Sequence, residues 1–373
     1  MDALILSCGT GGGHDSAARA LLEEMELRGH HATLLNPSTL PSDQLAQRIN
    51  HFYISMVQKT PRLFGAVYTA GQLYRALPCR SPVYFAHRCR VPVMAAYLDE
   101  HPVDVVLMSH LYPAEIMTNM KNSGIKIPKT VFVSTDYVCI PFTEETDCDA
   151  YLTPAPDLTA DYVRRGIPGE KLHPFGIPTS RAFSAPRSKA EARAQLRLEE
   201  GRKYILITGG SMGGGKIRDA IDSLIGAVAD RQDVGLIIIC GSNQALCEQL
   251  TAAAPRHTVV VGYTDQMAAY MRAADLFITK PGGLSSTEAA VCGVPVLHAS
   301  AIPGCEMYNA EYFSAHGMSA LCTSPHSIAA QALGLLDDPE ACARMAECQH
   351  ALLDGQAAAR ICSFAEELVA SVP

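Results

Sequence analysis

The sequence predicts an α/β protein of two domains, each built on a doubly wound parallel sheet. Three observations support this prediction. The chain has 373 residues, which at about 150 residues per domain suggests two domains. Short apolar runs alternate with helical patterns along the whole chain. Most of the runs are rich in Val, Ile and Leu without alternation, which is typical of strands covered by helices on both faces.

Ten strands are predicted from these runs. In the first half they are Ala3–Ser7, Ala32–Leu35, Asp104–Met108, Thr130–Ser134 and Ala150–Thr153. In the second half they are Tyr204–Thr208, Gly235–Cys240, Thr258–Val261, Asp275–Thr279 and Val294–Ala299. Their spacing leaves room for a helix between successive strands. The boundary is predicted near residues 176–186, giving domains 1–180 and 181–373, with the last helix able to cross back to the first domain.

Composition and charge exclude several classes of protein. The formal net charge is −8, which argues against a dedicated nucleic-acid binder. No apolar run reaches the ~18 residues of a membrane span, and the N-terminus lacks the basic region of a signal peptide. Thirteen scattered cysteines without a C-x-x-C pair favour reduced thiols. These features predict a cytoplasmic protein.

Four glycine clusters follow predicted strands, at residues 9–14, 209–216, 281–285 and 303–304. Glycine lets backbone amides approach an anion, and a helix N-terminus adds about half a positive charge. A single cluster would be explained as a tight turn, but four together favour a phosphate-containing ligand. A P-loop is not expected, because Ile217 follows Lys216 where Ser or Thr is needed. A dinucleotide-binding site is not expected either, because His14 stands where the fingerprint needs its third glycine.

The segments Gly9–His14, Thr279–Glu288 and Ile302–Ala310 resemble the diacylglycerol glycosyltransferases, which include the monogalactosyldiacylglycerol synthases and the processive diacylglycerol glucosyltransferases. The resemblance extends over nearly the whole chain. It implies a GT-B fold of two facing Rossmann-like domains, with the acceptor on the N-terminal domain and a UDP-sugar on the C-terminal domain. It also implies inversion at the anomeric centre, with no metal or other cofactor.

An inverting transfer needs a base that takes the proton from the acceptor hydroxyl, and a histidine with a pKa of about 6.5 suits that task. His14, on a glycine loop at a helix N-terminus, is the candidate, and Asp136 is expected to assist it or to orient the acceptor. The expected acceptor-binding residues are Gly11, Gly12 and Gly13. The alternatives are that His14 only shapes the turn and that Asp136 is a cap. The other twelve histidines are expected to be ordinary surface or core residues.

Donor binding is expected at residues that match the family motifs or follow strands of the second domain: Gly210, Ser211, Met212, Gly262, Tyr263, Gly282, Gly283, Leu284, Ser285, Glu288, Glu306 and Asn309. The resemblance assigns Glu288 to the ribose hydroxyls of UDP, and Glu306 and Asn309 to the sugar hydroxyls. One alternative concerns Glu288. Ser285–Glu288 also fits an S-x-x-E capping box, which would use the same carboxylate without a ligand.

Two positions depart from the family pattern. Cys305 stands where many relatives carry glutamine, which leaves glucose and galactose open. Ile140 stands where relatives carry a histidine after T-D-[YF], which leaves the acceptor less defined than the donor. Residues 147–149 resemble the D-x-D of metal-dependent glycosyltransferases, but two carboxylates alone rarely make a closed metal site, so none is expected.

Residues 44–98 form a basic segment that contains no Asp or Glu, seven Lys or Arg and eight aromatic residues. Basic and aromatic side chains together suit an anionic membrane surface, and Arg62, Arg75 and Arg80 are expected to contact it. The alternative is a helical insertion with a solvated basic face. Nucleic acid is not expected as a partner, because the aromatic residues follow helical rather than strand patterns.

The sequence therefore predicts an inverting glycosyltransferase that moves a hexose from UDP-glucose or UDP-galactose to a membrane lipid, with diacylglycerol as the first candidate. Its expected location is the inner face of the cell membrane, as a peripheral protein. Three alternatives stay open: a transferase of the same fold with another lipid-linked or soluble acceptor, a UDP-N-acetylglucosamine 2-epimerase, and a non-catalytic UDP-sugar sensor. The epimerase would not need the basic segment, and the intact His14 argues against the sensor.

Overall fold

The structure is a computed structural model that describes residues 1–9, 12–40, 69–75, 79–209, 217–299, 301, 304–322, 324 and 327–371. Five residues with a predicted role lie outside the described residues: Gly11, Arg62, Gly210, Ser211 and Met212. The chain forms two compact units. The first contains Met1–Ser180 and Gln356–Pro373, and the second contains Arg181–Ile302 and Glu306–Gly355.

The first unit is built on a six-stranded parallel sheet in the order β2-β1-β3-β4-β5-β6. Its strands are β1 (Asp2–Leu6), β2 (His31–Leu35), β3 (Val105–Met108), β4 (Lys129–Val133), β5 (Ala150–Leu152) and β6 (Leu172–His173). Its helices are α1 (Gly12–Leu27), α2 (Pro82–His87), α3 (Val91–Glu100), α4 (Leu111–Asn122), α5 (Thr159–Arg164) and, at the C-terminus of the chain, α15 (Ala357–Ala370).

The second unit has a parallel sheet of the same size in the order β12-β11-β10-β7-β8-β9. Its strands are β7 (Lys203–Thr208), β8 (Val234–Ile239), β9 (Thr258–Val261), β10 (Leu276–Thr279), β11 (Val296–His298) and β12 (Ala320–Leu321). Its helices are α6 (Arg181–Ser184), α7 (Lys189–Gln195), α8 (Ile217–Val228), α9 (Gln244–Ala252), α10 (Met267–Ala273), α11 (Gly283–Cys292), α12 (Cys305–Ala315), α13 (Ile328–Leu336) and α14 (Pro339–Leu352).

The inner strands of each sheet are buried on both faces, which explains why they read as continuous apolar runs. In β1, Leu4 and Leu6 pack into a core on one face, while Ala3 and Ile5 pack into a core on the other. The second of these cores includes side chains from α1 and α15. Arg28, directly after α1, strengthens that contact, since its guanidinium donates to the Ala359 carbonyl and to Ser363 of the C-terminal helix.

The strand order creates a switch point in each sheet. In the first sheet, β1 has β2 on one side and β3 on the other. In the second, β7 lies between β8 and β10. Ligands of open α/β sheets bind beyond the carboxyl ends of the strands at such points. The loops after β1 and β3, and those after β7 and β10, are therefore the places where chemistry is expected.

The predicted parallel α/β architecture is confirmed, and all ten predicted strands are present. The structure adds β6 and β12, which have two residues each and lie at the edge of their sheets. Two residues are too few to produce a recognisable apolar run, so the sequence did not reveal them. Among the described residues, no helix has the length and apolar character that a membrane span requires.

Candidate active site

His14 lies at the switch point of the first sheet, in the first turn of α1. Its Nδ1 atom lies 2.8 Å from the carbonyl oxygen of Ser109, which follows β3, and 2.9 Å from Oγ1 of Thr135, which follows β4. A carbonyl oxygen can only accept a hydrogen bond, so Nδ1 carries the proton of the neutral ring. The lone pair is then on Nε2, as a general base requires.

A pocket opens beside His14, with about 230 Å³ of empty space that includes its part open to solvent. His14, His110, Asp136 and Ile140 are among the lining residues. The structure thus brings the two predicted reactive residues, His14 and Asp136, to one pocket. Ser109 and Thr135 orient the His14 ring through their contacts with its Nδ1 atom. Gly12 and Gly13 begin α1 immediately before His14.

His110 also lines this pocket, whereas the sequence had suggested an ordinary surface or core residue. The His110 ring packs edge-on against the His14 ring, with 4.6 Å between the ring centroids. Burial above all, and then the charges of His14 and His87, hold the pKa of His110 well below its usual range. One signal was available in the sequence, because Ser109 and His110 directly follow a predicted strand.

The predicted donor residues Gly282, Gly283, Leu284 and Ser285 form the start of α11, after β10. Gly282 is the N-cap of this helix, with no side-chain capping bond, and Gly283 is its first residue. The S-x-x-E segment therefore begins inside the helix, so the capping-box interpretation of Glu288 is wrong. The backbone N–H groups of the first turn point away from the helix body, which suits a phosphate.

Glu288 lies farther along α11 and is only 9% exposed. Its carboxyl group has no hydrogen-bond or ion-pair partner within the described part of the chain. Burial raises the pKa of Glu288 to about 8. A buried polar group without a partner is costly, so it is typical of a position completed by a ligand.

Glu306 and Asn309, near the start of α12, are brought to the loop that precedes α11. The Glu306 carboxylate pairs with the Lys280 ammonium group at 2.6 Å. The Asn309 side-chain amide donates to the Pro281 carbonyl oxygen at 3.1 Å. Gly262 and Tyr263 lie elsewhere, since they follow β9, which is three strands away from β10. The Tyr263 side chain is 71% exposed.

The structure corrects the role expected for Arg75. Its guanidinium makes a two-pronged ion pair with the Glu144 carboxylate, at 2.8 and 2.6 Å, and its side chain is 9% exposed. Arg75 is therefore not available to a lipid surface. Arg80 is exposed, but it contacts the Glu145 carbonyl and lies 4.4 Å from the centroid of the Tyr84 ring. Acidic residues outside the basic segment neutralise part of its charge.

The D-x-D segment has structural roles. Asp147 forms ion pairs with Lys121 at 2.6 Å and Lys171 at 2.8 Å. Asp149 accepts hydrogen bonds from the backbone N–H and the hydroxyl of Thr130. Within the described ranges, no group of three or more His, Cys, Asp or Glu residues is arranged to hold a metal ion.

Two family models match the chain. The model of monogalactosyldiacylglycerol (MGDG) synthase matches residues 14–179, and the model of the glycosyltransferase family 28 C-terminal domain matches residues 204–361. Each half of the chain therefore carries a domain of a glycosyltransferase family, an MGDG synthase domain in the first half and a glycosyltransferase family 28 C-terminal domain in the second. The family resemblance noted in the sequence is thereby confirmed, and the protein is a glycosyltransferase. The first match covers His14 and Asp136, and the second covers every predicted donor residue.

Curated relatives and solved structures agree with this assignment. The chain is 25% identical over 349 residues to a processive diacylglycerol β-glucosyltransferase of Bacillus pumilus, covering 90% of this chain and 87% of the relative. A protein of the same name from Bacillus subtilis is 26% identical, with 92% and 88% covered. The crystal structure of Acinetobacter baumannii MurG is similar with a TM-score of 0.64 and 16% identity, over 98% of this chain and 99% of that chain. The architecture is that of the GT-B glycosyltransferases.

Proposed function

We propose that this enzyme transfers a hexose from a UDP-sugar to a diacylglycerol or a related lipid, with inversion at the anomeric carbon. The observation that supports this most directly is the bond between His14 Nδ1 and the Ser109 carbonyl at the switch point of the first sheet. The two relatives described above are named for β-glucosyl transfer to diacylglycerol, which supports the same acceptor class and a glucosyl donor.

In the proposed mechanism, His14 Nε2 takes the proton of the acceptor hydroxyl as the acceptor oxygen attacks the anomeric carbon. The bond between that carbon and the β-phosphate oxygen breaks at the same time, and UDP leaves with the electron pair. The Ser109 carbonyl accepts from Nδ1–H and so stabilises the imidazolium that forms. General-base catalysis of this kind contributes ~10²–10⁴ to the rate. Asp136, in the same pocket, is proposed to orient the acceptor or to support the charge on His14.

The donor is proposed to bind at the switch point of the second sheet. The amides at the start of α11 and the positive end of that helix suit the diphosphate. Glu288, which lacks a partner among the described residues, is proposed to accept hydrogen bonds from the ribose hydroxyls. Glu306 and Asn309, at the same end of the sheet, are proposed to reach the sugar hydroxyls.

The test is a thin-layer assay with vesicles that contain diacylglycerol and a panel of radiolabelled UDP-sugars. The wild-type protein is expected to form a glycolipid with at least one donor, and equally well with EDTA. His14→Ala is expected to reduce turnover by ~10²–10⁴ while calorimetry shows unchanged UDP affinity, because the base touches only the acceptor.

Exposed His101→Ala, on the loop after α3, is the matched control and should behave as wild type. No product with any donor would refute the proposed function. Turnover of His14→Ala within a few-fold of wild type would refute the role of the base.

A further inference from the structure

His110, the second imidazole of the pocket, is the N-cap residue of α4. Its backbone is extended, with φ −143° and ψ 152°, and its Nδ1 atom accepts a hydrogen bond from the Tyr112 backbone N–H at 3.1 Å. Such a cap satisfies one of the N–H groups that have no partner within the helix. The preceding residue, Ser109, provides the carbonyl that accepts from His14 Nδ1–H. The cap and the contact to His14 are thus adjacent in the chain.

The His110 ring also limits the space around His14. The two rings meet edge to face, with an interplanar angle of 82° and 4.6 Å between their centroids. The Tyr112 ring packs against His110 at 4.4 Å, and the His87 ring follows at 4.5 Å from Tyr112. His87 in turn bonds through Nδ1 to the fully buried Glu115 at 2.5 Å. His110 is thus held by a packed series of rings in addition to its contact with His14.

We propose that His110 is a positioning residue for the base. By capping α4 it holds the Ser109 carbonyl against His14 Nδ1, and with its ring it restricts rotation of the His14 imidazole. The lone pair on Nε2 is thereby fixed before the acceptor binds, which is the form that a base needs. The inference rests on the proposed function, since it takes His14 as the base of the transfer.

The first test separates the capping group from the ring by substitution. His110→Ala removes both, His110→Phe keeps a ring without the cap, and His110→Asn restores a side chain favoured at N-caps. With UDP-glucose and diacylglycerol vesicles, we expect kcat of the Ala and Phe variants to fall ~10–100-fold, as misplacement of a catalytic group does. The KM for UDP-glucose should stay unchanged, and the Asn variant should recover most of kcat.

Loss of a cap also lowers stability, so a matched control is needed. Ser188 caps α7 in the other unit through a bond from the Glu191 backbone N–H to its side chain. Ser188→Ala should lower Tm about as much as His110→Ala while kcat stays at the wild-type value. If Ser188→Ala lowers kcat equally, or if His110→Asn is as impaired as His110→Ala, the positioning role is refuted.

The second test observes His14 directly and needs neither donor nor acceptor. Nitrogen-15 NMR of labelled histidines, assigned with His14→Ala, should show His14 protonated at Nδ1 in the wild type and in His110→Asn. A mixture of tautomers is expected in His110→Ala. A wild-type tautomer and wild-type kcat in His110→Ala would overturn the inference even if transfer is confirmed. The tautomer shift without transfer by any variant would instead refute only the proposed function.

Discussion

Glu288 shows at the scale of one residue how burial can prepare a site for a ligand. Its carboxyl group is 9% exposed and has no partner among the described residues, and its pKa is raised from 4.5 to about 8. Near neutral pH the folded protein therefore holds this side chain mostly protonated. A ribose hydroxyl that donates to the carboxylate would favour the ionised form, so nucleotide binding and proton release are expected to be coupled.

The same shift predicts a pH dependence of folding stability. Between pH 4.5 and 8 the folded state retains a proton that the unfolded state has lost, so the free energy of unfolding falls as pH rises, by about 1.4 kcal/mol per pH unit at most. Glu288→Gln cannot ionise and should lack this loss. Its Tm is expected to match that of the wild type near pH 4 and to exceed it near pH 9.

Glu347→Gln, an exposed substitution on α14, is the matched control and should follow the wild-type curve. UDP binding can be measured by calorimetry on the same proteins. The UDP affinity of the wild type should increase from pH 6 to pH 8, because binding favours the ionised carboxylate. Glu288→Ala should bind UDP more weakly by ~1–3 kcal/mol. Parallel stability curves for Glu288→Gln and the wild type would show that the carboxyl group is not held protonated.

At the scale of elements, the strands and their order of appearance could be predicted, because a buried parallel strand has a local sequence pattern. Side-chain partners across the fold could not. His14 meets Ser109, and Arg75 meets Glu144, across 95 and 69 positions of the chain. The start of α11 could not be fixed from the sequence either, because a glycine N-cap at Gly282 and the alternative Ser285–Glu288 capping box both fit the same segment.

The ion pair of Arg75 and Glu144 joins residue 75 to the turn after β4. It leads to a prediction about the free energy of unfolding. The two side chains are 9% and 16% exposed, so removing one leaves a largely buried charge. Arg75→Gln is expected to lower the free energy of unfolding by about 3 kcal/mol, measured by urea denaturation. Adding Glu144→Gln should recover part of this loss, because the second charge is then removed as well.

Arg164→Gln is the control for this pair, since Arg164 is 70% exposed where it meets Asp161. The effect of that change should not exceed about 1 kcal/mol. Equal stabilities of the wild type and Arg75→Gln would mean that the contact is a surface pair of no energetic weight, and the original expectation of a lipid-facing Arg75 would regain support.

At the scale of the whole molecule, we expect attraction to a membrane surface to depend on how charge is distributed along the chain rather than on the net charge. The net charge is −8, yet residues 44–98 carry seven positive charges and no negative ones. In the described part of that segment, Leu73 is 72% exposed, Phe85 is 56% exposed, and Arg88 beside α2 is exposed. Apolar side chains next to basic ones are suited to an anionic bilayer surface.

We therefore expect the protein to sediment with vesicles that contain anionic lipid and to stay in solution with neutral ones. Local attraction can prevail over the net charge, because charges beyond the Debye length of about 8 Å are screened at physiological salt.

Arg80→Gln with Arg88→Gln should weaken binding by roughly 2 kcal/mol, since each basic residue at the surface contributes about 1 kcal/mol. Added salt should release much of the bound protein, and the fraction that stays should depend on Leu73 and Phe85. The control is Arg256→Gln with Arg344→Gln, which removes the same number of positive charges from exposed positions of the second unit. This pair of substitutions should leave binding intact. If both pairs reduce sedimentation equally, the attraction is a property of total charge and the basic segment has no special role at the membrane.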